Sequence, residues 1–383
     1  MKAACIRIVC NQAATPEIRI NRPVHAARVF CGRSCEDVMR LLPLMFSVCG
    51  TAQAIAGSHA MRAAIGEAHT EAVTTAHGAL VRFEVAREHL WRIMLDWPRF
   101  TGHRLRSRAL GAIQSLVPQA RDALFESNPF ALAPQASCDR RALDAVRDDF
   151  NVILEQDLLG LSPARWLAMD EVAELFAYLE SHDGAVPRLL NLLVQSGWQA
   201  ACPSRTESLP RLVAADIDGI LADGGADRFV EAPDWAGSAR ETSALTRQRD
   251  NPLVAAVIET FGIGLLARAV AAVVELAATT QDIDMIMEGF TAPGIVSEQT
   301  AGHAGVAQVE AARGRLVHRV VRDGDIITDY RVVAPTEWNF HQAGPVAEGL
   351  TGLAEGSRDA MQQQADLFLT LMDPCVGWSL ELN

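Results

Sequence analysis

Cys31-Gly-Arg-Ser-Cys-Glu-Asp-Val-Met-Arg-Leu-Leu-Pro-Leu-Met-Phe-Ser-Val-Cys-Gly50 sets a helical pattern between cysteines. From Glu36 onward, Val38, Leu41, Leu42, Met45 and Phe46 recur at helical spacing, and Pro43 bends or restarts the helix. Thr51 to His69, beyond Cys49-Gly50, is rich in alanine and again helical. The eight cysteines of the 383-residue chain include no Cys-x-x-Cys pair, so no zinc ribbon or ordinary iron–sulfur motif is visible. Cys31 and Cys35, followed by Cys49, come nearest to one, and buried or half-exposed free thiols are the plainer reading. A chain this long does not need disulfide staples, and nothing in it marks export, so reduced thiols in the cytoplasm are expected.

On the N-terminal side, Cys5-Ile-Arg-Ile-Val9 and Glu17-Ile-Arg-Ile20 alternate apolar and polar residues and predict two short strands. Toward the C-terminus, helical patterns cover Leu80 to Leu95, Arg141 to Leu159, Asp170 to Leu179 and Pro187 to Val194. Asp223 to Arg240, with three glycines and Pro233, predicts a loop. Pro252 to Ala278 predicts one long buried helix, because Glu259, Arg268 and Glu275 would be costly in a bilayer. Arg315 to Val320 and Ile326 to Val333 flank Asp323-Gly324, a dipeptide with the backbone freedom of a hairpin turn. A last helix spans Ser357 to Met372. The expected class is mainly α with small β elements (α+β), as one domain over residues 1–383. Hydrophobic residues at 49% supply a sizeable core, and the net charge of -13 argues against nucleic acid or an anionic membrane as partner.

Three stretches, in order, carry a resemblance. They are Cys31 to Gly50; Ala312-Arg-Gly-Arg-Leu-Val-His318 with Ala334-Pro-Thr-Glu-Trp-Asn339 and Gly344-Pro345; and Asp373-Pro-Cys-Val-Gly-Trp378. Together they resemble the nickel–iron hydrogenase large subunit, whose corresponding motifs are Arg-x-Cys-Gly-x-Cys-x-x-x-His, Pro-Arg-Gly followed by a hairpin and Pro-Thr-x-Trp-Asn, and Asp-Pro-Cys-x-x-Cys-x-x-His. The resemblance implies a large-subunit-like helical body in which the cysteine helix and the C-terminal tail meet at one pocket. In that family four cysteines hold nickel, and two of them bridge to an iron carrying cyanide and carbon monoxide. Here Cys49 and Cys375 match the first cysteine of each pair. Ala52 and Trp378 stand where the bridging cysteines would be, and Ala56 and Glu381 where the histidines would be. Tryptophan is no thiolate substitute and is expected to fill the volume. Nickel is therefore not expected. The family's N-terminal Arg-Ile-Glu-Gly-His is absent, Ile18 to Asn21 being the nearest stretch, and no C-terminal extension for a maturation protease is expected.

The resemblance also places Asp96, Arg313 and Asp373 around the pocket and Thr336 near the cyanide ligands. A planar guanidinium suits an anionic cyanide, and charge-assisted bonds of that kind contribute about 1.5–3 kcal/mol each. This pattern resembles the accessory branch of the family, the HupK/HoxV-like proteins. It implies a non-catalytic cytoplasmic scaffold that holds Fe(CN)2(CO) transiently on Cys49 and Cys375. Its partners would be the maturation proteins that build and deliver the iron unit and the hydrogenase large subunit, with no nucleic acid and no membrane insertion. Two other readings stand beside it: a metal-free interaction protein derived from a large subunit, and a divergent hydrogenase large subunit. Blander roles also remain for single residues. Cys49 reads as helix packing, Cys375 as an exposed thiol, Arg313 with Asp373 as a structural ion pair, and Asp96 as a helix-end hydrogen-bonder. The ten histidines show no metal spacing; His59, His69 and His77 fall on roughly one side of a helical region and read as solvated or core residues.

Overall fold

The two ends of the chain are joined in one sheet in a computed structural model that describes residues 5–10, 16–46, 48–102, 107–290, 294–351, 353 and 357–382. Strand β1 (Cys5–Cys10) pairs antiparallel with β2 (Glu17–Asn21) and parallel with β7 (Gly377–Leu382). The alternation in β1 works as read: Ile6 and Ile8 are buried, while Arg7 reaches Glu381 of β7 at 2.9 and 3.1 Å. The expected hairpin forms as β5 (Gly314–Asp323) and β6 (Ile326–Val333), and it belongs to a larger antiparallel sheet. Strands β3 (Ile295–Gln299) and β4 (Ala304–Ala311) complete that sheet in the order β3-β4-β5-β6. All but one residue of β4 are buried, so it lacks the alternation that would have exposed it in the sequence.

Helix α1 (Cys35–Met45) contains Pro43, and α2 (Gly50–Ile65) packs against β4 and β5. Of the 16 residues of α2, 13 are buried, which explains its alanine-rich composition without a single apolar stripe. The approach to the sheet is close enough to need glycine. A Cβ at Gly305 of β4 would lie 2.2 Å from the Ala60 carbonyl oxygen. Helix α3 (Glu71–Trp91) begins nine residues before the expected start at Leu80, because the Thr70 side chain caps it by accepting from the Val73 N–H. A π-helical turn, Arg92–Asp96, continues it.

The pattern from Pro252 to Ala278 is two helices, Pro252–Phe261 and α4 (Leu265–Met287), broken where Gly262 adopts φ +80°. The charges inside α4 are buried in pairs. Arg268 bonds Glu241 at 2.6 and 3.0 Å, and Glu275 bonds Arg247 at 2.5 and 2.8 Å and His89 at 2.7 Å. Among the described residues no helix is long and apolar enough to cross a membrane. The expected loop at 223–240 contains a short helix, Ala226–Glu231, whose Phe229 and Val230 pack inward. The expected helices at 141–159, 170–179 and 187–194 form, with boundaries shifted by a few residues. Helix α5 (Arg358–Met372) leads into the C-terminal tail. His59 and His77 are core residues, but the absence of metal spacing does not survive folding. With His69 they form one cluster on α2, α3 and the connection between them.

Candidate functional site

Cys49 is the residue just before α2, half-buried where the helix starts. The buried Glu84 carboxylate of α3 accepts from the Thr51 and Ala52 N–H groups at 2.9 and 2.8 Å, so it closes the start of the helix that Cys49 precedes. Gln53 Nε2 lies 3.8 Å from Cys49 Sγ. That amide is held by His318, whose Nε2 is 2.8 Å from Gln53 Oε1 and whose Nδ1 is 2.9 Å from the Tyr330 hydroxyl. Burial pushes the Cys49 thiol up to about 12; Glu84 adds to the effect and Arg313 opposes it.

Cys375 arrives from α5 through Asp373, which ends the helix in the left-handed region at φ 45°. Its Sγ lies 2.7 Å from Arg22 Nη1 and 3.3 Å from Thr336 Oγ1. Arg22 follows β2, and its guanidinium also grips the buried Glu337 carboxylate through two nitrogens, with Nε to Oε1 at 2.6 Å. Burial works against the Arg22 charge, but Glu337 and the Cys375 sulfur outweigh it and raise its pKa. Thr336 and Glu337 lie on the short helix Pro335–Asn339. Asn339 ties that helix down: it accepts from Thr242 N–H at 3.0 Å and donates to the carbonyls of Thr242 at 2.7 Å and Arg313 at 3.3 Å.

Cys49, Cys375, Arg22, Gln53, Arg313 and Thr336 line one cavity of about 300 Å³, its remaining wall largely apolar. Arg313 is buried, with Nη2 at 3.1 Å from both Glu88 and Asp373. Burial opposes its charge, but Asp373 and Glu88 dominate and hold it firmly protonated. Its Nε and Nη1 are buried and have no hydrogen-bond partner among the described residues.

Four of the six expected site residues thus meet at the cavity: Cys49, Cys375, Arg313 and Thr336. Asp373 sits behind Arg313, where it also pairs with Arg92. Asp96 lies one ion pair further back, bonding Arg92 at 2.7 Å and Arg99 at 3.3 Å, and does not line the cavity. Trp378 does not fill the cavity as expected. It sits on β7 opposite Ile6, because strand pairing with β1 carries the tail away from the pocket. Ala52 and Ala56 are buried on α2, and Glu381 pairs with Arg7. Cys31 is exposed and Cys35 is buried; neither lines the cavity. Reading the sequence missed Arg22, Gln53 and the two carboxylates Glu84 and Glu337. The one available signal was the glutamate inside Pro-Thr-Glu-Trp-Asn, which needs a cation if buried.

No protein-family model matches the chain. It is 31% identical to the hydrogenase expression/formation protein HupK of Bradyrhizobium diazoefficiens over 93% of this chain and 89% of that protein. It is 29% identical to the hydrogenase expression/formation protein HoxV of Cupriavidus necator over 98% of this chain and 95% of that protein. Its fold is that of the hydrogenase large subunit. The Ni-Fe-Se hydrogenase from D. vulgaris Hildenborough superposes with a TM-score of 0.62 at 14% identity, covering 94% of this chain and 93% of that one. An NAD+-reducing [NiFe]-hydrogenase superposes with a TM-score of 0.57 at 16% identity, over 94% and 92%. With a near full-length relative above 30% identity and a large-subunit-like fold, the chain belongs to the HupK/HoxV family of hydrogenase expression/formation proteins.

Proposed function

We propose that the protein is a non-catalytic scaffold of nickel–iron hydrogenase maturation that holds an Fe(CN)2(CO) unit on Cys49 and Cys375 and passes it to the hydrogenase large subunit. The observation that carries this reading is the meeting of two thiols with an under-used guanidinium in one cavity. Sulfur is a soft donor suited to such an iron, and cyanide nitrogens need N–H donors. Arg313 has two N–H-bearing nitrogens without partners, held beside the thiols by Glu88 and Asp373. Asp96 contributes at one remove, by fixing Arg92 against Asp373. Thr336 and Arg22 flank Cys375 and donate hydrogen bonds to its sulfur, with Arg22 held in place by its pairing to Glu337.

The elevated Cys49 pKa suits a carrier. Binding iron requires the thiol to lose its proton, and reprotonation favours release. Two thiolate ligands also hold less permanently than four. With alanine and tryptophan at the bridging positions, no nickel site of the four-thiolate kind is proposed. The partners follow from this role: the maturation proteins that build and deliver the iron unit, and the large subunit that receives it, in a reducing cytoplasm where free thiols persist.

Infrared spectroscopy of the protein purified from a host that makes hydrogenase tests the reading. Cyanide and carbonyl stretches, with iron and without stoichiometric nickel, are expected. Their absence overturns the carrier in favour of a metal-free docking protein. One nickel per chain with hydrogen oxidation overturns it in favour of a divergent enzyme.

A further inference from the structure

A second constellation lies in the fold, apart from the cysteine cavity. His59 on α2, His69 in the connection to α3, and His77 on α3 each place a ring nitrogen within 4.8 Å of the other two. The rings pack pairwise edge to face, with centroids 4.6, 5.2 and 5.3 Å apart and interplanar angles of 64°, 64° and 88°. His59 and His77 are fully buried, and His69 is half-buried.

Hydrogen bonding assigns the nitrogens. His77 Nε2 is 2.8 Å from the Pro129 carbonyl oxygen and must carry its proton, which leaves Nδ1 as the lone-pair nitrogen. That Nδ1 faces His59 Nε2 at 3.1 Å. An imidazole that donates from its far nitrogen to a backbone carbonyl is oriented as metal-ligating histidines are. On the far side of His59, Nδ1 faces Ser297 Oγ at 3.5 Å, a partner for its N–H when Nε2 is the ligand. His69 Nε2 lies 2.9 Å from Ser58 Oγ. The nearby cation, Arg62, is paired with Glu67 at 2.6 Å.

We propose that His59, His69 and His77 form a binding site for one divalent first-row transition-metal ion, with the fourth position open to water on the His69 side. Three imidazoles select the zinc and cobalt class over magnesium or calcium, which take oxygen ligands. Metal–nitrogen bonds of about 2.0–2.1 Å in a tetrahedron put ligand nitrogens about 3.3 Å apart. The His59–His77 pair, at 3.1 Å, is close to that spacing, and His69 offers a ring nitrogen within 4.8 Å of both. His59 lies ten residues beyond Cys49, about 15 Å along a helix, so one ion does not serve both sites. An ion here clasps α2 to α3, the helices that present Cys49 and its supporting Glu84.

The test is titration with cobalt(II), and separately zinc(II), of full-length protein carrying Cys49→Ser and Cys375→Ser and stripped with a chelator. One metal per chain is expected, with a cobalt spectrum lacking thiolate charge-transfer bands and a raised Tm. Adding His69→Gln, a change at a half-buried residue outside the helices, should weaken binding at least tenfold with an unchanged circular dichroism spectrum. Failure of the His69-containing protein to bind stoichiometric metal overturns the site. So does a loss of less than tenfold in His69→Gln, or a thiolate charge-transfer band at full stoichiometry.

Discussion

Cys375 and Arg22 meet across 353 positions of sequence, and each tests a different part of the cavity. Cys375→Ser is nearly isosteric and falls in the connection between α5 and β7, outside both, so the protein should remain folded. A hydroxyl is a harder and far less acidic donor, so the cyanide and carbonyl bands should vanish and the host should assemble less active hydrogenase. Bands at full intensity would mean that another cysteine carries the iron. Arg313→Lys should give a milder loss in the same spectrum, since the charge stays and the planar fork goes. Arg22→Gln is a stability experiment. It leaves the buried Glu337 carboxylate without its cation, and losing one partner of such a pair costs about 3–5 kcal/mol. Chemical denaturation should show the double change Arg22→Gln/Glu337→Gln to be less destabilised than Arg22→Gln alone. Equal losses would mean that Glu337 does not need the pairing.

At the scale of the element, α2 presents the site, and Glu84 governs how α2 begins. One carboxylate satisfies two N–H groups at the helix start. Glu84→Gln retains one acceptor oxygen and turns an amide NH2 toward the other donor, which should cost about 1–3 kcal/mol in denaturant unfolding. The same change removes a negative charge that helps to raise the Cys49 pKa. The sign is therefore fixed: the thiol pKa falls and the thiolate fraction rises. Iodoacetamide should alkylate Cys49 faster in Glu84→Gln than in the parent at one mildly alkaline pH, as read by peptide mass spectrometry. An unchanged rate would mean that Glu84 does not act on the thiol.

Across the whole molecule, buried neutral histidines and paired carboxylates shape the response to acid. Burial pushes His318 down to about 3, against about 6.5 in an unfolded chain. The unfolded state therefore binds the extra proton between those values. The stability this group contributes is fully present above about pH 6.5 and is lost as pH falls toward about 3, by up to about 1.4 kcal/mol per pH unit. Glu275 acts in the same direction. Burial opposes its charge, but Arg247 and His89 win and hold it below the usual carboxylate range, so its contribution also fades in acid. Urea unfolding at a series of pH values from about 4 to 6 should show a slope that His318→Gln reduces by close to one proton. An unchanged slope would place the acid lability elsewhere.

Local chemistry was enough to read the strands at 5–9 and 17–20, the β5–β6 hairpin and most helices from the sequence alone. Alternation, helical spacing and a turn dipeptide are written within a few neighbouring residues. The ordered cysteine, Arg-Gly and Asp-Pro-Cys motifs identified the family for the same reason. Only the tertiary structure decided where β7 pairs, that Arg22 flanks Cys375, that Glu84 closes the start of α2, and that Asp96 stands behind Arg92 rather than in the cavity wall. It also gathered His59, His69 and His77. Each of these rests on a side chain or strand whose partner is set by packing between elements, and burial removes the periodic signal that marks an exposed face. A buried charge needs a counter-charge, but sequence spacing does not say which, because the partner is chosen by the path of the backbone in three dimensions.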